Sequence, residues 1–495
     1  MIVDTDRIRV EVSGRLDGAQ KSHLGQFLTP SPVAAFMGSL FRPGRAEECR
    51  LLDAGAGIGS LSAAFLERCA SGGLGFQRVV VDAFEIDEGL HPYLVRTLEE
   101  YGRHLQVVPR VHGGDFVEMA VGSLSEDLFA AALPRYTHAI LNPPYKKIRS
   151  NSPHRAALRR VGIETVNLYS AFVALSLGLL DEGGQMVAII PRSFCNGPYY
   201  RPFRDFILER AALRHMHLFV SRDKAFKDDK VLQENIIILL ERGAPQGDVT
   251  VSGSTDGSFD DYIADTHPFG AIVLADDPER FIRVPNSQAD HSLELASNVR
   301  FSLADLGIEV STGPVVDFRL REHIRDMPEN GTVPLLYPGH FSGEVVEWPK
   351  RDFRKPNAIA RNAETAKCLF PTGFYTVVRR FSSKEEKRRI MASIVHPGAF
   401  PGVELLGFEN HLNVFHSHKH GLPEDLVRGL SAFLNTSALD AHFRCFNGHT
   451  QVNATDLRRI KYPSYETLVA LGKWAGKHPQ LEQGMVDEEV KRRIA

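Results

Sequence analysis

The chain has no excess of basic residues: 58 Lys and Arg stand against 61 Asp and Glu, a net charge of −3. That excludes capture of a polyanion by overall charge, so any nucleic acid must be met by local patches. Cysteine is scarce and scattered. Cys49, Cys69, Cys195, Cys368 and Cys445 form no C-x-x-C pair, which excludes a disulfide framework and a cysteine-bound zinc and suits a reducing compartment. His416, His418 and His420 alternate beside Lys419 and read as a solvated loop, so no metal is expected. Long apolar runs are also missing. The longest, Ala171 to Leu180, is about half the ~20 residues of a membrane span, and Met1 to Arg7 has no apolar signal core. A soluble cytoplasmic protein is expected. At 495 residues, 43% hydrophobic and 24% charged, the chain has length for roughly two to three globular domains.

What is present is concentrated. Asn142-Pro143-Pro144-Tyr145 ends the apolar run Ala139-Ile140-Leu141. A carboxamide, two prolines and an aromatic ring at a strand's carboxyl end make a rigid, polar-tipped turn. The Asn142 carboxamide oxygen and the Pro143 carbonyl can both accept from one planar NH2 group. Such bonds draw its lone pair out of ring conjugation and toward an incoming methyl group. Tyr145 offers a face for the ring that carries the amine. Taken alone, the four residues also fit an ordinary strand-ending turn. What precedes them decides between the two.

Leu51-Leu52-Asp53-Ala54-Gly55-Ala56-Gly57-Ile58-Gly59 reads as a buried strand running into a glycine turn, and Leu61 to Leu66 opens a helix. A second strand, from Val79, leads to Glu85, Ile86 and Asp87. Glu85 lies 26 positions past Gly59, where a doubly wound sheet places a ribose-binding acid. The spacing is G-x-G-x-G, not the G-x-G-x-x-G that seats a pyrophosphate. That favours S-adenosylmethionine, which has no phosphate, over a nicotinamide. Gly114-Asp115-Phe116 follows a third short strand, Val107 to Val111. An Asp–aromatic pair there can accept from an adenine amine and cover its ring. Upstream, Thr29-Pro30 precedes the helically spaced Val33 to Met37, and a cap followed by a first-turn proline explains that pair by itself. The alternation continues with a helix from Tyr169 to Leu175 stopped by Gly183-Gly184, in which Phe172, Leu175 and Leu179 read as core. Strands over Met186–Ile190, Leu213–Val220 and Glu234–Leu240 follow, and a parallel α/β sheet is expected. From Gln246 to about Ser297 the composition predicts irregular connection.

With these motifs in this order, the chain resembles the γ class of adenine-N6 DNA methyltransferases, the modification enzymes of type II restriction-modification systems. The resemblance spans roughly residues 20 to 465. It is carried by Gly25-Gln26-Phe27-Leu28-Thr29-Pro30, the glycine loop, Glu85, Asp115-Phe116 and Asn142 to Tyr145. Two later phrases share it, Ser311-Thr312-Gly313-Pro314-Val315-Val316-Asp317-Phe318-Arg319 and the run from Asn447 to Leu457. It implies a Rossmann-like, S-adenosylmethionine-dependent α/β sheet over residues 1–245, a connecting segment over 246–300 and a C-terminal α+β target-recognition domain over 301–495. It implies that Asn142, Pro143, Pro144 and Tyr145 hold a flipped-out adenine. Phe226 is the candidate for the other face of that base, or else packs on the sheet edge. Gln26, Thr29, Pro30, Asp53, Ala54, Gly55, Gly57, Glu85, Ile86, Asp115 and Phe116 would line the cofactor site. The product would be N6-methyladenine in duplex DNA, shielding it from a separate restriction endonuclease, and a monomer is expected.

Candidate DNA contacts come from charge and amide groups. Lys146, Lys147, Arg149, Arg155, Arg159 and Arg160 follow the turn with no carboxylate before Glu164; they grip phosphates or form a solvated loop. Lys350 to Lys355, and the stretch holding Arg379, Arg380, Lys384, Lys387, Arg388 and Arg389, interleave cations with aromatics and are further phosphate candidates. Asn447, His449, Thr450, Gln451 and Asn453 either read bases or bond backbone to position the catalytic domain. The same turn serves methyltransferases of RNA bases and of glutamine, which lack a C-terminal region of about 200 residues. A non-catalytic DNA-binding subunit of this fold would be expected to lose Asn142 or Tyr145.

Overall fold

The structure is a computed structural model that describes residues 8, 12, 28–44, 46–102, 105–125, 132–219, 234–275, 277–284, 298–343, 345–382, 386–446, 451–478 and 481–494. Gln26, Phe226, Lys384, His449 and Thr450 lie outside the described residues. The chain divides into two units, Met1–Pro285 and Asn286–Ala495.

The first unit runs α1 (Ser31–Ser39), β1 (Glu48–Ala54), α2 (Ser60–Ala70), β2 (Arg78–Phe84), α3 (His91–Tyr101), β3 (Gln106–His112), α4 (Phe116–Leu124) and β4 (Tyr136–Leu141). It continues with α5 (Pro153–Arg160), α6 (Leu168–Leu179), β5 (Leu180–Pro191), α7 (Arg201–Arg210), β6 (Ala211–Phe219), β7 (Asn235–Arg242), β8 (Asp248–Ser254) and β9 (Ile263–Pro268). The strands form one sheet in the order β3-β2-β1-β4-β5-β7-β6-β8-β9. Its parallel part is buried on both faces, which is why Ala139-Ile140-Leu141 is apolar without a break. Side chains alternate: Ile140 packs with Phe65 and Leu94 of α2 and α3, while Ala139 and Leu141 pack with Ala120 and Val173 of α4 and α6. Burial of each large apolar side chain contributes ~1.5–3 kcal/mol. The chain winds outward from β1 to β3 and returns to place β4 on β1's other side, with Asp53 opposite Ile140. A crevice forms at the carboxyl ends of strands where the winding reverses, here those of β1 and β4.

The structure corrects three expectations about the strands and helices of this unit. The sheet is not all parallel, because β7 inserts antiparallel between β5 and β6. The helix α6 ends at Leu179 and β5 starts at Leu180, so Gly183-Gly184 lies within a strand and does not stop the helix. The expected irregular segment opens with β8 and β9, because Val249 and Val251 face the core while Ser252 and Ser254 hydrogen-bond His215 and His217 of β6 at 2.7–3.1 Å.

The second unit is α+β. A four-stranded antiparallel sheet has the order Glu309–Thr312, Leu412–His416, Tyr375–Arg379, Ala392–Val395. A five-stranded mixed sheet has the order Ile324–Arg325, Ala358–Ala360, Thr332–Leu336, Leu405–Phe408, Leu369–Pro371. Helices Glu424–Leu434 and Tyr465–Ala475 bury Leu430, Phe433 and Leu468 in a core shared with Val378 and Phe415. His416 is a buried strand residue bonded to Ser311, not part of a solvated loop; His418 and His420 are exposed. No described helix is long and apolar enough to cross a membrane.

Candidate active site

The glycine loop leaves β1 with Gly55, Gly57 and Gly59 at φ +83°, +56° and +86°, backbone that side chains with a Cβ rarely adopt. A Cβ on Gly57 would also come within 3.0 Å of Leu28 Cδ2. The loop amides are used internally. Those of Gly55 and Ala56 donate to the Phe84 carbonyl (2.9 and 2.8 Å), that of Gly59 to the Ala56 carbonyl (2.8 Å), and that of Gly57 to Glu85 Oε2 (2.8 Å). A dinucleotide site would need such N–H groups aimed at a pyrophosphate. Glu85 Oε1 accepts from the Asp87 amide at 2.8 Å; burial raises the carboxyl's pKa, and these amides pull against the rise. Asp53 is 0% exposed, and Oδ2 accepts from Ser62 Oγ in the first turn of α2 at 2.6 Å. Burial lifts its pKa to about 7, with Ser62 opposing and the Glu85 charge adding to the rise.

A cavity of about 210 Å³ stands in front of this loop, walled by Gly55, Gly57, Glu85, Ile86, Asp115 and Phe116, with Phe172 of α6 as a further ring. Phe172 is thus more than core. Thr29, Pro30, Asp53 and Ala54, expected in that wall, are not part of it. The donor set suits a ribose diol at Glu85, an amine at Asp115 and a planar base against Phe116, with the Gly55, Ala56, Gly57 and Gly59 amides already bonded within the protein. Those are the parts of S-adenosylmethionine, and the residues present fit it.

Asp115 caps α4 through the Val117 and Glu118 amides (2.8 and 3.3 Å), and its Oδ2 meets His154 Nε2 of α5 at 2.9 Å. Although burial pushes the Asp115 carboxyl up, the bond and charge of His154 with the two amides bring it below its usual value, and His154 is raised in turn. His154 also walls the cavity. The sequence carries no signal for it, because the pairing joins residues 39 positions apart.

Asn142 and Pro144 complete the wall, so the turn after β4 and the glycine loop share one cavity. An atom at the Cβ position of Gly55 would lie 3.7 Å from the Asn142 carbonyl oxygen and 4.0 Å from Pro144 Cδ. The Asn142 carboxamide is held at both ends. Its Nδ2 donates to Thr29 Oγ1 at 2.9 Å, and its Oδ1 accepts from the Tyr145 hydroxyl at 3.1 Å. That hydroxyl also lies 3.2 Å from the Ile189 carbonyl of β5, and burial raises its pKa. Thr29 therefore does not cap α1, whose cap residue is Pro30 with no side-chain bond. Pro143 is buried beneath the turn.

Beyond the turn, Lys146, Lys147 and Arg149 are exposed, whereas Arg155 and Arg159 both bond Glu164. In the second unit several of the expected DNA contacts among the described residues are turned to internal use. Arg379 pairs with Glu386; Arg380 reaches the Asn410 carbonyl (3.2 Å) and Gln451 Oε1 (3.3 Å); Arg389 is buried beside Ser382 and Asp440. Asn453 caps the helix Ala454–Arg459 with Asp456 as its reciprocal partner. For Gln451 and Asn453 the structure thus favours local bonding over base reading.

Residues 135–226 match the family model Eco57I restriction-modification methylase. Type II methyltransferase M.BsuBI of Bacillus subtilis is 52% identical over 471 residues, 95% of this chain and 93% of that protein. Type II methyltransferase M.PstI of Providencia stuartii is 40% identical over 498 residues, 99% of this chain and 96% of that protein. Among solved structures, the Type IIL restriction-modification enzyme MmeI in complex with DNA covers 93% of this chain and 70% of its own, with a TM-score of 0.52 at 10% identity, a likeness of fold alone. With this cavity and relatives matched over 93% and 96% of their length, the chain belongs to the type II methyltransferases, the DNA-modifying enzymes of restriction-modification systems, and its methyl donor is S-adenosylmethionine.

Proposed function

We propose that the methyl group goes to N6 of an adenine extruded from duplex DNA at one short site. The observation that carries this reading is the Asn142 carboxamide, braced by Thr29 and Tyr145 in the wall of the cavity that holds Glu85 and Asp115. Asn142 Oδ1 and the Pro143 carbonyl accept from the two N–H bonds of the amine, which frees its lone pair. Pro144 stiffens the turn, and the Tyr145 ring stacks on the base, offsetting by about 1–3 kcal/mol the few kcal/mol that extrusion costs. Phe226 is the proposed second ring. S-adenosylmethionine, when bound, would supply a methyl on a cationic sulfur: the S–CH3 bond breaks as N6–CH3 forms, the sulfur leaves as a neutral thioether, and N6 releases one proton to solvent. Around it, Glu85 takes the ribose hydroxyls, Asp115 the adenine amine, and Ile86 and Phe116 the ring faces. With the leaving group already activated, the chain's task is positioning.

Lys146, Lys147 and Arg149 grip phosphates beside the extruded base. The first unit is the catalytic domain and the second the target-recognition domain, in a monomer that protects cytoplasmic DNA from a separate endonuclease. Expression in a host lacking adenine methylation, followed by modification-sensitive sequencing, tests this. N6-methyladenine confined to one motif is expected. Unmodified adenine, with the protein folded and binding S-adenosylmethionine, would move the acceptor to RNA or to a glutamine side chain.

A further inference from the structure

Glu409 is 0% exposed, yet no Arg or Lys is bonded to it among the described residues. Both its oxygens serve the residue two positions on. Oε1 accepts from His411 Nδ1 at 2.5 Å and Oε2 from the His411 amide at 2.9 Å. Burying a carboxylate is costly unless it is bonded, and here the gain goes to one imidazole. Because a carboxylate only accepts, Nδ1 donates to Glu409, and Nε2 is the ring nitrogen turned outward. The His411 side chain is 39% exposed.

The loop that displays it is rigid. The Glu409 amide donates to Leu336 (3.0 Å), that of Asn410 to Val315 (2.9 Å) and that of Leu412 to Glu409 (3.0 Å), while the His411 carbonyl accepts from the Arg380 amide (2.8 Å). The phrase Ser311 to Arg319 forms the base of this loop. Gly313 donates to the Leu412 carbonyl at 2.8 Å, and a Cβ there would stand 2.2 Å from the Glu409 carbonyl, so only glycine fits. Phe381, 41% exposed, lies tilted at 39° against His411 with ring centres 4.9 Å apart. Phe318, three residues past Val315, is 72% exposed with the Arg319 guanidinium 5.6 Å over its ring. Three stretches distant in sequence thus build the loop that carries this imidazole, with the exposed Phe381 ring against it.

We infer that His411 reads a base edge in the major groove of the DNA target through its outward Nε2, beside the Phe381 ring. This rests on duplex DNA being the substrate. A phosphate contact carries no sequence information and needs no single ring orientation; a ring nitrogen held in one orientation on a hydrogen-bonded loop is what base reading needs.

The test is to sequence the DNA of adenine-methylation-free hosts expressing wild type, His411→Ala, His411→Gln or Glu409→Gln. His411→Ala is expected to relax the methylated motif at one position, raising methylation of mismatched sites about tenfold or more relative to the cognate. His411→Gln, which keeps a polar side chain should alanine fail to fold, is expected to change the preference at that same position. Glu409→Gln, which loosens the ring, should relax it less. An unchanged motif in His411→Ala and His411→Gln, with methylation either normal or uniformly weaker, would overturn the inference and leave the DNA reading standing. No methylated DNA from wild type would remove the DNA reading, and this inference with it.

Discussion

The two units treat their conspicuous residues differently. In the first, Gly55, Gly57, Glu85, Asp115, Asn142 and Pro144 lie far apart in the chain and all face one cavity. In the second, Arg379, Arg380, Gln451 and Asn453 bond one another's loops and helices. A doubly wound sheet brings the residue after each strand to one edge, so a motif at a strand's end has its place fixed by topology. The mixed sheets of the second unit have no such edge. There a charged or amide side chain is as useful for joining loops as for meeting a ligand, and composition does not distinguish the uses.

In the first unit, Gly57→Ala puts a Cβ at φ +56° and against Leu28, and is expected to weaken S-adenosylmethionine binding at least ~100-fold by calorimetry. Thr29→Val removes the hydroxyl that holds Asn142 and should lower kcat about tenfold, on the ~1–2 kcal/mol of a lost hydrogen bond, with cofactor affinity within about twofold. Thr29→Ser should restore it; a change in cofactor affinity alone would return Thr29 to the cofactor wall. In the second unit, Arg380→Ala should lower stability by about 1–2 kcal/mol in denaturant melts and leave the salt dependence of DNA binding unchanged. Lys147→Ala should do the reverse, reducing the salt slope by about 1. Equal salt effects would erase the contrast.

Asp53 gives the smallest effect. Its pKa is raised to about 7 from an ordinary 3.8, so its protonated form favours the fold, and that stability is lost as pH rises through this window. Asp53→Asn keeps an acceptor for Ser62 and should flatten the decline in melting temperature between about pH 4 and 7, without weakening cofactor binding.

Much of the first unit was legible because its signals are local. The glycine loop, Glu85, Asp115-Phe116 and the turn at Asn142 each sit at a strand's end. Pairings across the chain were not legible: Thr29 with Asn142, His154 with Asp115, and β7 running against its neighbours. The strand β8 was hidden by serines that bond buried histidines of β6. Glu409 and His411 stand in a stretch with no motif, and only burial shows that one carboxylate is committed to one imidazole.

The central claim is that Asn142 activates the acceptor amine and does not hold the cofactor. Asn142→Ala, assayed in parallel for methyl transfer to adenine-containing duplex and for S-adenosylmethionine affinity, tests it most directly. Transfer is expected to fall at least ~1,000-fold, on the scale of removing a pre-placed hydrogen-bonding group from an active site, while cofactor affinity stays within about threefold. Near-normal transfer, or a loss that follows weakened cofactor binding alone, would contradict it.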